Sequence, residues 1–212
     1  MKYFAWLYER NPDVAWIDKF PDEIGAKDYL LDKGLRAKEW FPAGIAFDMS
    51  EQSSRRLLDI LPNVLGLQLI SETVKMLLEE HAQVELEFLP IRIRNHKKRI
   101  EEKPYYILNV LDPVFCMDLE KSDYVTDSLD KTQMFTISHL HFDENKLPKD
   151  RKLFRLGEKN TLFIIREDLA DKLSEAGCTG LNFVPQTDYG AQYRKISMQD
   201  RIAKLKAQRG PM

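Results

Sequence analysis

Apolar positions along this chain fall into short alternating runs and two helical stripes, and one stretch of the pattern occurs twice. Leu67–Pro90 (LQLISETVKMLLEEHAQVELEFLP) aligns without a gap on Leu162–Pro185 (LFIIREDLADKLSEAGCTGLNFVP). Leu67/Leu162, Ile70/Ile165, Glu72/Glu167, Leu78/Leu173, Leu86/Leu181, Phe88/Phe183 and Pro90/Pro185 are identical between the copies. Internal repetition reports architecture. What the copies share is apolar spacing and punctuation, so the repeat predicts a scaffold and not a reactive centre.

Each copy reads as strand, helix, strand. In the first, 67–70 is an apolar strand, Ser71 is placed to cap the helix by accepting a backbone N–H, and Glu72 complements the positive end of the helix dipole. Val74, Leu77, Leu78 and His81 mark one helical face. Residues 84–89 set Val84, Leu86 and Phe88 against Glu85, Glu87 and Leu89, a half-buried strand that Pro90 should end or mark as an edge. The second copy repeats this with a strand at 162–165, a helix over 167–176, Gly177 as its C-cap and a strand at 181–184.

Outside the repeat, the aromatic run 2–9 suits a first strand. Ile24, Tyr29, Leu30 and Leu31 predict a helix over 21–34 that Gly34 stops. Residues 44–49, 104–111 and 134–142 read as strands, and 55–61 is open between helix and strand. Strands and helices mix without regular alternation, which predicts an α+β fold with a mixed sheet. The expected organisation is an N-terminal lobe (1–60), a core (61–187) holding the units 67–90 and 162–185, and a basic tail (188–212). The tail sets Met198, Ile202 and Leu205 at helical spacing, either as a peripheral docked helix or as a mobile end.

Charge changes this picture little. Lys and Arg number 32 against 34 Asp and Glu, so there is no overall basic footprint for nucleic acid. No apolar run is long enough to span a bilayer, and MKYFAWLYERNPD lacks a signal-peptide pattern. Cys116 and Cys178 have no metal-ligand spacing and read as reduced thiols, so a cytoplasmic location is expected.

Candidate chemistry is sparse. His139 and His141 alternate on a predicted strand, so both imidazoles share a face that Asp143 continues, with Cys116 or Asp118 as a further ligand to a metal. The alternative has both histidines facing solvent while Leu140 and Phe142 fill the core. Residues 112–130 carry Asp112, Asp118, Glu120, Asp123, Asp127 and Asp130 against Lys121, either a patch that docks on a basic surface or a solvated loop. The basic run 92–103, with Arg94, Lys97 and Lys98, reads as a phosphate- or acid-binding turn or as a solvated hairpin tip. No phosphate loop, nucleophile elbow or zinc-protease motif is present, and Cys116 reads as a small buried hydrophobe. No catalytic residue and no cofactor are assigned.

LPNVLGLQLISETVKMLLEE (61–80), EFLP (87–90), YYILNVLDPVFCMDLEKSDY (105–124) and LFRLGEKNTLFIIREDLADKLSEAGCTGLNFVP (153–185) together resemble the bacterial immunity-protein family Imm11 (DUF1629) of polymorphic-toxin loci. The string Cys116, Asp118, Leu119, Glu120, Lys121, Ser122 is its most specific piece, and the resemblance spans roughly 45–187. It implies a cytoplasmic protein that binds and neutralises a cognate protein toxin, and it supplies no catalytic motif. Recognition should then sit where the chain departs from the shared pattern: 1–44, 92–104, 124–135 and the tail. Asp123, Tyr124, Asp127, Asp130, Trp40, Phe41, Arg94, Lys97 and Lys98 are the resulting candidate contacts, whereas Asp118 and Glu120 serve the fold. A metal-dependent enzyme using His139 and His141, or an adaptor subunit of a secretion apparatus, are the competing readings.

Overall fold

The computed structural model describes residues 1–9 and 11–190. Each repeat unit forms the expected elements. The first contains β4 (Leu69–Ser71), α1 (Glu72–His81) and β5 (Leu86–Arg94). The second contains β10 (Lys159–Arg166), α2 (Glu167–Glu175) and β11 (Leu181–Pro185). In both, the two strands run parallel and a third strand is inserted antiparallel between them. For the first unit that strand is β6 (Tyr105–Val110), and for the second it is β1 (Tyr3–Tyr8).

The registers match residue for residue. Ile70 and Pro90 pair with Tyr106, just as Ile165 and Pro185 pair with Phe4. Phe88 faces Leu108 as Phe183 faces Trp6, and Leu86 faces Val110 as Leu181 faces Tyr8. The duplication is therefore deeper than the aligned sequence, because each copy has three strands, the third following its unit in the first copy (β6) and taken from the N-terminal residues in the second (β1). β9 (Leu153–Leu156) completes one sheet, ordered β11-β1-β10-β9. β2 (Ala46–Asp48) and β3 (Ile60–Leu61) complete the other, ordered β2-β5-β6-β4-β3, with β2 parallel to β5. One sheet is antiparallel and the other mixed, giving the expected α+β class.

Strand alternation sends each sheet's two faces to different cores. Trp6, Leu108, Phe163 and Ile165 pack inward with Val74 and Leu78 of α1 and Leu169 and Leu173 of α2, so both helices share one core. Tyr105, Ile107, Leu89 and Ile91 face the other way and are covered by residues from 15–49. Tyr3, Ala5, Phe154 and Ile164 are covered by residues from 116–142.

Several local expectations are overturned. Residues 22–30 form 3-10 turns, not an α-helix, because Gly25 (φ 58°) breaks the run; Ile24 and Leu31 are buried while Tyr29 is exposed. Ser71 does not cap α1, since its hydroxyl bonds Asp59 instead (2.8 Å). Pro90 does not end β5 but lies, as its edge reading allowed, where β5 is paired with β6 alone; the strand continues to Arg94 and takes β2 as a second partner from Arg92 onward. On β5 the most buried face carries Glu87, Leu89, Ile91 and Ile93, not Leu86 and Phe88. Glu87 is tolerated there because its Oε2 accepts from the Ala37 N–H (2.8 Å) and the Asn109 amide (2.9 Å). The Gly177 cap holds: its N–H bonds Ser174 O and that of Cys178 bonds Leu173 O, the paired bonds of a Schellman motif, with Gly177 at φ 70°.

Two polar nodes, one buried and one half-buried, join the parts. Arg155 on β9, 1% exposed, donates to Val110 O (3.1 Å), Leu31 O (3.1 Å), Asn160 O (2.7 Å) and Asn109 Oδ1 (3.3 Å), and lies over the Phe163 ring. Burial draws its pKa down to about 10, so it stays charged at neutral pH. Asp59, just before β3, accepts from Ser71 Oγ, Lys103 Nζ and Thr179. Burial opposes its ionisation, but those hydrogen bonds outweigh it and hold the carboxyl well below the usual range. Gly180, beside Thr179, has φ 82°, and a Cβ there would lie 2.5 Å from Ile60 O, so only glycine lets the two copies approach this closely.

Candidate functional site

The segment 114–142 that covers β1, β9 and β10 begins with the distinctive Cys116–Ser122 string, and that string is structural. Asp118 Oδ1 accepts from the Glu120 and Lys121 N–H groups, and its Oδ2 pairs with Lys121 Nζ at 2.8 Å. The Ser122 hydroxyl accepts from the His141 N–H (2.9 Å), while the Asp143 N–H donates to Cys116 O (2.8 Å). Cys116 is fully buried, and burial pushes its thiol up to about 12. It is no nucleophile.

Beyond the string the chain makes an antiparallel ribbon of β7 (Asp123–Thr126) and β8 (Met134–His139). Tyr124 and Ile137 face the core beneath. The pairing steps from Val125↔Thr136 to Thr126↔Met134, a bulge that leaves Phe135 as the extra residue. It turns Phe135 and Thr136 outward together, where plain alternation would have buried one of them. Phe135 is 70% exposed, Val125 60% and Leu129, in the connecting loop, 96%.

The loop is held in shape by its own acids. Asp127 Oδ1 accepts from the Leu129 (2.8 Å) and Asp130 (3.2 Å) N–H groups, and Asp130 Oδ1 accepts from the Thr132 N–H (2.9 Å) and hydroxyl (2.5 Å). The backbone bonds to Asp127 and the Thr132 hydroxyl on Asp130 lower both carboxyl pKa values, so both are ionised at neutral pH. The ribbon is anchored to the β9–β10 turn. Lys159 Nζ donates to Met134 O and Phe135 O, and the Gln133 amide donates to Gly157 O (2.7 Å). Between them lies an open cleft of about 450 Å³, lined by Asp32, Asp127, Leu129, Asp130, Phe135 and Lys159 among others. Asp32 Oδ1 is buried there without a hydrogen bond, 3.9 Å from Lys33 Nζ, and burial raises its pKa.

The structure places Asp123, Tyr124, Asp127 and Asp130 on this one ribbon. It does not bring the other candidates to it. Arg94 and Lys98 sit at the far end of β5 and pair with Asp48 (3.1 and 3.5 Å), Lys98 also with Glu51, beside an exposed Lys97. Trp40 and Phe41 pack together, half-buried, on the cover of the other sheet, with Lys27 over the Trp40 ring. His139 and His141 do share a face, and their Nε2 atoms are 2.8 Å apart, one donating to the other, while Leu140 and Phe142 fill the core. The proposed further ligands are engaged elsewhere: Asp143 pairs with Lys146 and Asp118 with Lys121. Among the described residues no group of three or more His, Cys, Asp or Glu is arranged to hold a metal ion. The expected tail stripe falls outside the described residues.

Sequence reasoning placed recognition in 124–135, among other stretches, but did not single out the exposed Val125, Leu129 and Phe135 within it. The signal for Leu129 was present, a lone leucine in the polar loop Asp127–Gln133. Phe135 depends on the bulge, which periodicity does not foretell.

With this geometry in place, comparison with family models finds a match to the Imm11 immunity protein family over residues 8–188. The chain therefore belongs to the Imm11 family of immunity proteins. The match takes in most of the first 45 residues, which the sequence resemblance left out. Ala15, Ile17, Ile24, Leu31 and Ala37 explain why such a segment belongs with the rest: they fill the core over one face of the first copy's sheet. Comparison with curated proteins returns no match. No helix among the described residues is long and apolar enough to cross a membrane.

Proposed function

We propose that this immunity protein binds a cognate protein toxin through the β7–β8 ribbon and the adjoining cleft, and neutralises it by covering the toxin's active site or substrate groove in the cytoplasm. The observation that carries the reading is the cluster of exposed Val125, Leu129 and Phe135 beside ionised Asp127 and Asp130. A few well-packed anchor side chains supply most of the energy of a specific interface, and a charged surround governs encounter rate and selectivity. The surround is of mixed charge, Asp127 and Asp130 beside Lys33, Lys131 and Lys159, and selects a toxin whose charges match it in position around an apolar pocket. A complex of this kind buries about 1,200–2,000 Å² in total.

The duplicated scaffold supports the same reading. Asp59 and Arg155 join the two three-stranded units, and the ribbon is displayed on the outside of that body. Family membership points to a role that is not enzymatic. Co-expression with the neighbouring reading frame tests the proposal, which expects that frame to be lethal when expressed alone. Survival is expected with the intact chain; continued killing with well-expressed, folded protein overturns it.

A further inference from the structure

Gly157 stands apart from the other described glycines. Each of those has a positive φ, where a side chain would be strained, whereas Gly157, in the two-residue β9–β10 turn, does not. Its backbone would accept alanine. What excludes a side chain is the Phe115 ring: a Cβ on Gly157 would lie 2.6 Å from Phe115 Cγ and Cδ2 and 2.8 Å from Cδ1. One face of the ring therefore rests on the turn. Phe115 is nevertheless 57% exposed, so much of the ring is open to solvent.

The backbone on either side of Phe115 is fixed. The Val114 N–H donates to Arg155 O (2.9 Å), and Val114 O accepts from the Gly157 N–H (2.8 Å). Cys116 is fully buried, and the Met117 N–H donates to Glu158 Oε1 (3.0 Å). The same turn holds the ribbon. Gly157 O accepts from the Gln133 amide, Glu158 O accepts from the Met134 N–H, and Lys159 Nζ donates to Met134 O and Phe135 O. Phe115 and the ribbon are thus mounted on one support. An exposed aromatic ring that is already ordered offers a partner apolar contact with little motion left to lose.

We infer that Phe115 is a further anchor of the toxin-binding face, entering an apolar pocket on the toxin, and that Gly157 is its positioning residue. The inference rests on the proposed role of the ribbon and carries the face across the β9–β10 turn. The bare glycine is kept for the ring and not for the turn.

The test is titration calorimetry of the toxin encoded by the neighbouring reading frame against the intact chain, Phe115→Ala, Gly157→Ala and the double variant, with Tm read for each. Phe115→Ala is expected to bind at least about 10-fold more weakly, with Tm within about 2 °C of the intact chain. Gly157→Ala keeps the ring but lifts it, and several-fold weaker binding is expected. In the Phe115→Ala background the same change should alter affinity by less than about twofold, because Gly157 acts only through the ring. Phe115→Ala binding within about twofold of the intact chain overturns the inference. A double variant weakened by the product of the two single effects overturns the positioning role. So does the absence, in the toxin-free protein, of an upfield ring-current shift of the Gly157 α-protons that disappears in Phe115→Ala. If Leu129→Asp weakens binding while Phe115→Ala does not, this inference falls and the ribbon reading stands. If Phe115→Ala weakens it while Leu129→Asp and Phe135→Asp do not, Phe115 stands as an anchor and the ribbon reading falls.

Discussion

Asp59 and Thr179 hold each other across 120 positions of sequence: the Asp59 N–H donates to Thr179 Oγ1 (2.9 Å), while the Thr179 N–H and hydroxyl donate to Asp59 Oδ2 (2.9 and 2.7 Å). The other carboxylate oxygen takes Ser71 and Lys103, both 2.8 Å away. One side chain thus ties the helix start of the first copy to the α2–β11 loop of the second.

Replacing Asp59 with Ala is expected to cost about 3 kcal/mol, because four donors lose their acceptor and Lys103 loses its charge partner. Differential scanning calorimetry should show Tm lower by on the order of 10 °C. A shift within about 1 °C would show that the copies are held mainly by their shared apolar core.

The same carboxyl gives a pH dependence. Its folded pKa lies below its unfolded value of about 3.9, so its contribution is complete above that value and is lost as pH falls towards the folded pKa. Urea midpoints should drop from about pH 5 to pH 3, and Asp59→Asn should drop less steeply over the same window. Parallel curves for the two proteins would contradict the assignment.

Arg155 is expected to resist even conservative change. Lysine has no planar fork to serve Val110 O, Leu31 O, Asn160 O and Asn109 Oδ1 together. Arg155→Met leaves buried acceptors bare and should cost about 3–5 kcal/mol, with Arg155→Lys intermediate, both read from equilibrium unfolding.

Thiol labelling reports on the cover of the β1 sheet. Cys116 is sealed and its pKa raised, whereas Cys178 is half-buried. At pH 8 the folded protein should label slowly at Cys178 and not measurably at Cys116 until denaturant is added. Prompt labelling of Cys116 would mean that the 114–142 cover opens in the native state.

The strand–helix–strand units were legible because apolar periodicity and the Gly177 stop are local signals. The third strand of each unit was not, since β1 and β6 share only Tyr3/Tyr105 among their paired positions and pair non-locally. The helix expected over 21–34 failed because a single glycine, Gly25, at a left-handed φ outweighs an apolar stripe. Glu87 looked solvent-facing because burial of a carboxylate depends on donors from Ala37 and Asn109 that are distant in sequence. For the site, charge made Asp123, Asp127 and Asp130 visible, while a β-bulge hid Phe135.

The toxin-binding face is tested most directly by titration calorimetry of the toxin against the intact chain and against Leu129→Asp and Phe135→Asp, with Trp40→Ala as a distant control. Both side chains are exposed, so each substitution should leave Tm within about 1–2 °C. The expected result is at least about 30-fold weaker binding for each ribbon variant, the scale of an interface hot spot, with the control unchanged. Ribbon variants that bind within about twofold of the intact chain, while Trp40→Ala weakens binding, would contradict the account.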